Sequence, residues 1–184
     1  FKALKIREQI NDTNGIASTT NNLGIIYYKQ QKFNDAIKYY NIALAINREQ
    51  HIASKEFLIL LNLGNIYDEM MKLDSSSYYY LKAIAKAEEI GDARFKSMAY
   101  GGMGVTQEKL KNYNLAKSYF IKALKIRLES DDIEGQAIVY NNLGGVYVST
   151  NQYDSAIYYF NKSLVFSEQI DYKECTRDNY LGLS

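Results

Sequence analysis

Three asparagines recur at one position of a repeating pattern, and their carboxamides are the clearest binding chemistry in the sequence. Asn22 and Asn62 stand at the same place in successive copies, Asn142 follows two copies later, and Gly102 stands at the intervening position. A carboxamide has both hydrogen-bond donors and an acceptor. A row of such groups can therefore pair with the backbone of an extended peptide of any sequence. The alternative is that these asparagines only belong to the repeat and face water.

Residues suited to catalysis are few. The chain has one histidine, His51, and one cysteine, Cys175, which has no histidine near it in the sequence. Nothing places the carboxylate pairs at 88–89 and 131–132 as an acid–base couple, and no phosphate-binding loop or hydrolase motif is present. We predict no catalytic residue, no metal site and no cofactor. The sequence indicates that the chain is not an enzyme.

Charge and hydropathy exclude two classes of partner. Lys and Arg number 22 and Asp and Glu number 21, so the net charge is +1 and no basic stripe favours a nucleic acid. Tyrosine runs such as Tyr78–Tyr80 could stack on bases, but their place on a helix favours packing. The apolar runs are short and do not approach the roughly 20 residues that span a bilayer. We expect neither nucleic-acid binding nor direct membrane insertion.

The elements that position these residues are helices in a repeat with a period of 40. Glycine recurs at 24, 64, 104 and 144, and further columns hold an aromatic residue at 40, 80, 120 and 160 and a small residue at 36, 76, 116 and 156. Apolar residues within a copy follow intervals of three and four, which indicates helices. The chain contains no proline to interrupt them. We predict ten helices: one orphan, four antiparallel pairs and one terminal helix.

Short polar stretches and acidic or glycine residues mark the turns. The segment 131–134 has the spacing of a capping box from Asp131 to Glu134. We predict a single domain over residues 1–184. Its parts are the second helix of a truncated repeat, four full repeats and the first helix of a further repeat, with limits at 1–11, 12–51, 52–91, 92–131, 132–171 and 172–184.

These columns resemble the tetratricopeptide repeat. The first full copy carries the family pattern as Leu23-Gly24, Tyr27, Ala36, Tyr40 and Ala43. The period is 40 rather than the usual 34, and the closing proline of the family is absent. Long-period arrays of this kind are similar to those of bacterial sensor and regulator proteins. The resemblance implies an all-α fold, a right-handed superhelical solenoid of antiparallel helix pairs.

The resemblance also implies a peptide-binding site, because the first helix of each pair lines the concave groove in this family. The residues placed there are Asn22, Ile25, Tyr28 and Lys29 in the first copy, Asn62, Asn65, Asp68 and Glu69 in the second, Val105 and Glu108 in the third, and Asn142 in the fourth. The carboxylates suggest a basic or polar ligand, with a solvated charged face as the alternative.

The leading functional prediction is a non-catalytic protein- or peptide-binding module, the recognition or regulatory segment of a larger bacterial protein. The alternative is a structural scaffold or spacer that stacks head-to-tail through apolar faces near Leu4 and Leu181. Phe1 is not an initiator methionine, and the repeat is cut at both ends, so we expect a piece of a longer chain. The cytoplasm is the favoured compartment, with the periplasm as the alternative for a membrane sensor.

Overall fold

A computed structural model describes residues 2–183, which form ten helices. Phe1 and Ser184, the outermost residues of the predicted domain, lie outside the described residues. The chain divides into two compact units, Phe1–Gly91 and Asp92–Ser184. The all-α class is confirmed.

Unit 1 contains five helices of the described chain: α1 Lys2–Gln9, α2 Thr13–Lys29, α3 Phe33–Glu49, α4 Ala53–Glu69 and α5 Leu73–Ile90. Unit 2 contains the other five: α6 Ala93–Lys109, α7 Tyr113–Glu129, α8 Ile133–Ser149, α9 Tyr153–Gln169 and α10 Lys173–Leu183. Within each unit, a helix packs mainly against its neighbours in the chain.

A left-handed residue ends every helix from α1 to α9. These residues recur at even spacing, at 11, 31, 51, 71, 91, 111, 131, 151 and 171, with φ between 50° and 77°. After each of them except Gly91, the next amide bonds back to the helix, as from Lys32 to the carbonyl of Tyr27 at 2.9 Å. Gly91 is the one glycine among the nine, so the other side chains accept a conformation that costs them roughly 1–2 kcal/mol. Each copy of the repeat is therefore two helix-and-turn halves of equal length.

Aspartate caps the first helix of three of the antiparallel pairs, α2, α6 and α8. Asp12, Asp92 and Asp132 each accept a hydrogen bond from the amide three residues further on, at 2.9 to 3.0 Å. The predicted capping box from Asp131 is wrong by one residue, because Asp131 is the left-handed residue of the turn, with φ of 50°.

Packing within each pair centres on a glycine and an aromatic ring. A Cβ on Gly24 would lie 2.8 Å from a ring carbon of Tyr40, and one on Gly104 would lie 2.5 Å from the ring of Phe120. Phe120 is fully buried. In the structure the aromatic ring itself fills the space that a side chain would need.

Most tyrosines of the runs that resemble base-stacking platforms are engaged inside the protein. Tyr27 stacks on Tyr39 with ring centroids 5.4 Å apart, and Tyr67 stacks on Tyr79 at 5.2 Å. These rings join the first helix of a pair to the second.

Candidate functional site

A cavity of about 370 Å³ lies between α2, α3 and α4 of unit 1. Helix α2 lines it with Ala17, Ser18, Asn21, Asn22 and Ile25. Helix α4 lines it with Lys55, Leu58, Ile59 and Asn62, and α3 contributes Asn47. Three residues of the predicted site, Asn22, Ile25 and Asn62, are thus brought around one cavity. We call this space the unit 1 cavity.

Asn47 is one of the lining residues that sequence reasoning missed, and the one among them that belongs to α3. It is 2% exposed, and its Nδ2 donates to the carbonyl of Ala43 at 2.7 Å, whereas its Oδ1 has no partner among the described residues. A buried acceptor without a donor carries a desolvation cost of about 1–3 kcal/mol. A signal existed in the sequence: the same column holds Arg7, Ala87, Arg127 and Ser167, so its side chain differs from copy to copy.

A second group of predicted residues meets where α2 and α4 end. The hydroxyl of Tyr28 donates to the carboxylate of Glu69, and the hydroxyl of Tyr80 donates to Oδ1 of Asn65. Burial, and then the bond to Glu69, raise the pKa of Tyr28, so its hydroxyl stays protonated and remains a donor. The Glu69 carboxylate is consequently paired within the protein. Asp68 is buried beside this group, and Lys29, the last residue of α2, is exposed.

The predicted residues of unit 2 occupy different surroundings. Val105 is half-buried and packs against the apolar cluster of unit 2. Burial raises the pKa of Glu108, and Lys109 partly offsets that shift. Asn142 lines a smaller cavity of about 200 Å³ between α8 and α10, next to Asn141 and Cys175.

Neither a metal cluster nor a membrane span is found over residues 2–183. No three His, Cys, Asp or Glu side chains there are grouped to hold an ion. No helix in the same range has the length and hydropathy to cross a bilayer.

The sequence model of the tetratricopeptide repeat matches residues 15–89 and 95–169, most of the chain. The chain belongs to the tetratricopeptide repeat family. No curated protein sequence matches it. The matched segments contain every predicted site residue, so the candidate site lies on tetratricopeptide repeats throughout.

Solved structures share the fold at low sequence identity. The tetratricopeptide repeat chain superposes with a TM-score of 0.85 on a signal transduction ATPase with numerous domains from Pyrococcus horikoshii, which has a tetratricopeptide repeat sensor. The identity is 24%, over 97% of this chain and 28% of that one. The apo form of RapI gives a TM-score of 0.84 at 21% identity, over 89% of this chain and 60% of that one. A Rap protein complexed with competence and sporulation factor gives a TM-score of 0.80 at 15% identity, over 93% of this chain and 46% of that one.

These likenesses concern the fold alone. The chain spans between 28% and 60% of the lengths of these three proteins. Their activities and partners are therefore not carried over to the tetratricopeptide repeats described here.

Proposed function

We propose that the chain is a non-catalytic protein- or peptide-binding module that holds an extended segment of a partner along α2 and α4. The observation that carries this proposal is the meeting of Asn22, Ile25 and Asn62 around the unit 1 cavity. The two amides come from different helices and flank apolar surface that is still open, since Leu58 is 43% exposed. Amides beside open apolar surface suit a peptide, whose backbone needs partners and whose side chains need burial.

The relatives give the proposal a precedent. A Rap protein of the same fold has been solved complexed with competence and sporulation factor, and the Pyrococcus protein uses its repeats as a sensor. A recognition role within a longer protein agrees with both. Catalysis by residues of this chain has no support in the described side chains, because no nucleophile, base and orienting group are brought together there.

Selection from a library of random peptides displayed on phage, followed by fluorescence anisotropy with the selected peptides, tests the proposal. Asn62→Ala should weaken binding roughly tenfold, because it removes up to two hydrogen bonds to the peptide backbone. Asn41→Ala is the matched control, since Asn41 is exposed on the second helix of the pair. Selected peptides that bind Asn22→Ala, Tyr28→Ala and Asn62→Ala as well as the parent chain would refute the proposal.

Head-to-tail self-association is a second candidate, favoured by exposed apolar side chains in and directly after α1 and on α10. Ile6 and Ile10 are 56% and 66% exposed, and Leu181 is 68% exposed. Light scattering over a hundredfold range of concentration tests it. A constant monomer mass would remove this candidate and leave the peptide-binding proposal unaffected.

A further inference from the structure

We propose that the unit 1 cavity receives one aromatic side chain with a polar tip, tyrosine or tryptophan, from the bound segment. The hydroxyl or indole N–H of that side chain would donate to Oδ1 of Asn47. This inference rests on the proposed function and names the residue type that the cavity selects.

The size and lining of the cavity favour a single ring. Binding sites for small molecules span roughly 300–1,000 Å³, so a cavity of about 370 Å³ is at the small end of that range. Ala17, Ile25, Leu58 and Ile59 give it apolar walls on both sides. Aromatic side chains bury the largest apolar area of any residue type, and a buried tyrosine or tryptophan usually finds a partner for its polar atom.

The unpartnered acceptor determines which polar group the bound aromatic side chain should carry. Oδ1 of Asn47 is buried and lacks a donor among the described residues, while Nδ2 of the same amide is fixed by the Ala43 carbonyl. Exchanging the two atoms would set oxygen against that carbonyl, so the amide orientation is determined. An occupant with a donor is therefore favoured over an apolar one, since only a donor relieves the cost that the buried acceptor already carries in the free protein.

The charge at the cavity makes the donor a neutral one. Lys55 is the only charged residue among the described side chains that line it. Its ammonium repels a lysine or arginine side chain. A hydroxyl or an indole N–H meets no such repulsion, and among the large aromatic side chains Phe, Tyr and Trp only the last two carry such a donor.

Fragment binding to the full chain, followed by amide NMR shifts, tests this inference. The probes are p-cresol against toluene, and 3-methylindole against 1,3-dimethylindole, which differ in the donor. We expect dissociation constants on the order of 1 mM for the donor-bearing fragments. Their preference over the donor-free fragments should be about tenfold.

Variants of the acceptor complete the test. Asn47→Leu and Asn47→Ala both remove the acceptor, one with and one without added bulk, and each should reduce the preference for p-cresol over toluene about tenfold. Gln50→Leu is the matched control, because it removes the other unpartnered buried carbonyl oxygen of the described residues, which does not line the cavity. Equal binding of p-cresol and toluene to the parent chain, or a preference that survives both Asn47 variants, would overturn the inference.

The outcome separates this inference from the proposed function. Peptides that depend on Asn62 but bind unchanged after a tyrosine-to-phenylalanine or tryptophan-to-phenylalanine replacement would overturn the inference alone. A fragment preference that depends on Asn47, without any peptide that depends on Asn62, would overturn the proposed function and with it the peptide origin of the occupant.

Discussion

The junction between α3 and α4 in unit 1 and the junction between α7 and α8 in unit 2 have the same helix lengths and the same left-handed turn, yet one is open and the other is filled. Asn47 stands in unit 1 where Arg127 stands in unit 2, two copies of the repeat later. Arg127 donates from Nε to Oγ of Ser97 at 2.8 Å and pairs through Nη1 with Asp132 at 3.4 Å. The shorter Asn47 leaves a cavity and an unpartnered oxygen.

The residues around the two junctions change together. Ser97, which receives the bond from Arg127, corresponds to Ala17 of the unit 1 cavity, and Gly135 corresponds to Lys55. A Cβ on Gly135 would lie 2.6 Å from Cδ of Arg127, so that glycine makes room for the arginine. Arg7 repeats this arrangement against Gly15, whose carbonyl accepts from its Nη1 at 2.6 Å. At these two junctions the residue of one column, Arg127 or Asn47, therefore separates a space that is filled from within from one that is open.

The largest expected effect concerns what the two units share, the contact between glycine and an aromatic ring. Gly64→Leu and Gly104→Leu should each lower the free energy of unfolding by about 3 kcal/mol, because the new side chain meets a buried ring. Chemical denaturation measures it. Gly101→Leu on α6 is the control, since a Cβ there meets nothing within 4 Å. A cost confined to one unit would show that this contact is not common to both.

Arg127→Asn places the unit 1 residue in the unit 2 junction. We expect a loss of about 2 kcal/mol in the free energy of unfolding, because Ser97 and Asp132 lose their bonds to the arginine and a space opens. Lys125→Asn on the exposed face of α7 should stay within about 0.5 kcal/mol. An unchanged free energy of unfolding in Arg127→Asn would mean that Arg127 does not stabilise the junction between α7 and α8.

Gly135→Ala tests whether glycine and arginine act as a pair. The added methyl group displaces the side chains of Arg127 and Asp132 and should cost about 1 kcal/mol. In the Arg127→Asn background most of that cost should disappear, as a double-mutant cycle would show. Lys55→Ala at the corresponding position of unit 1 should change little, since Lys55 is exposed. Additive costs would contradict the pairing.

Asn47→Leu should raise the free energy of unfolding by about 1 kcal/mol, the reverse of the unit 2 result. The substitution removes a buried oxygen without a partner and adds apolar contacts within the cavity. Thermal unfolding measures the change in the absence of ligand. A lower melting temperature would show that the Asn47 amide stabilises the free protein.

The smallest effect concerns pH and a second difference between the junctions. Burial raises the pKa of Glu56, but hydrogen bonds from Arg48 and Lys86 outweigh it, so the net pKa is lowered. Unit 2 has the neutral Gln136 at this position. Because the unfolded chain then binds the proton more readily, the stabilisation exists at neutral pH and is lost as the pH falls below about 4. In Glu56→Gln this part of the acid dependence should be absent when unfolding is followed from pH 7 to pH 3. If Glu56→Gln loses stability with falling pH in parallel with the parent chain, the ion pair of Glu56 is not the source of this acid dependence.

Much of the architecture was predictable because the same residue pattern recurs in every copy of the repeat. The glycine at 24 and its equivalents, the aromatic at 40 and the small residue at 36 gave the helix pairs and their order. The turns were found, but the cap at Asp132 was misplaced by one residue. Residues 131 and 132 are both aspartates, so residue type does not show which of them caps the helix. Only the backbone shows that Asp131 is left-handed and that Asp132 is the cap.

The candidate site was predicted only in outline. Asn22, Ile25 and Asn62 were named from the family pattern, and they do share a cavity in unit 1. Asn47 was not named, because it lies on a second helix, whereas the family pattern places the groove on the first helices. Tyr80, the partner of Asn65, was assigned only to packing, although its hydroxyl reaches beyond the core.

The sequence by itself determined the repeat and the helix pairs, because each depends on local spacing that recurs in every copy. Only the tertiary structure decided which junction is open. That outcome depends on the reach of one side chain across three helices, long enough at Arg127 to find Ser97 and too short at Asn47 to fill the space beside Ala17. Spacing in a sequence carries no measure of that distance.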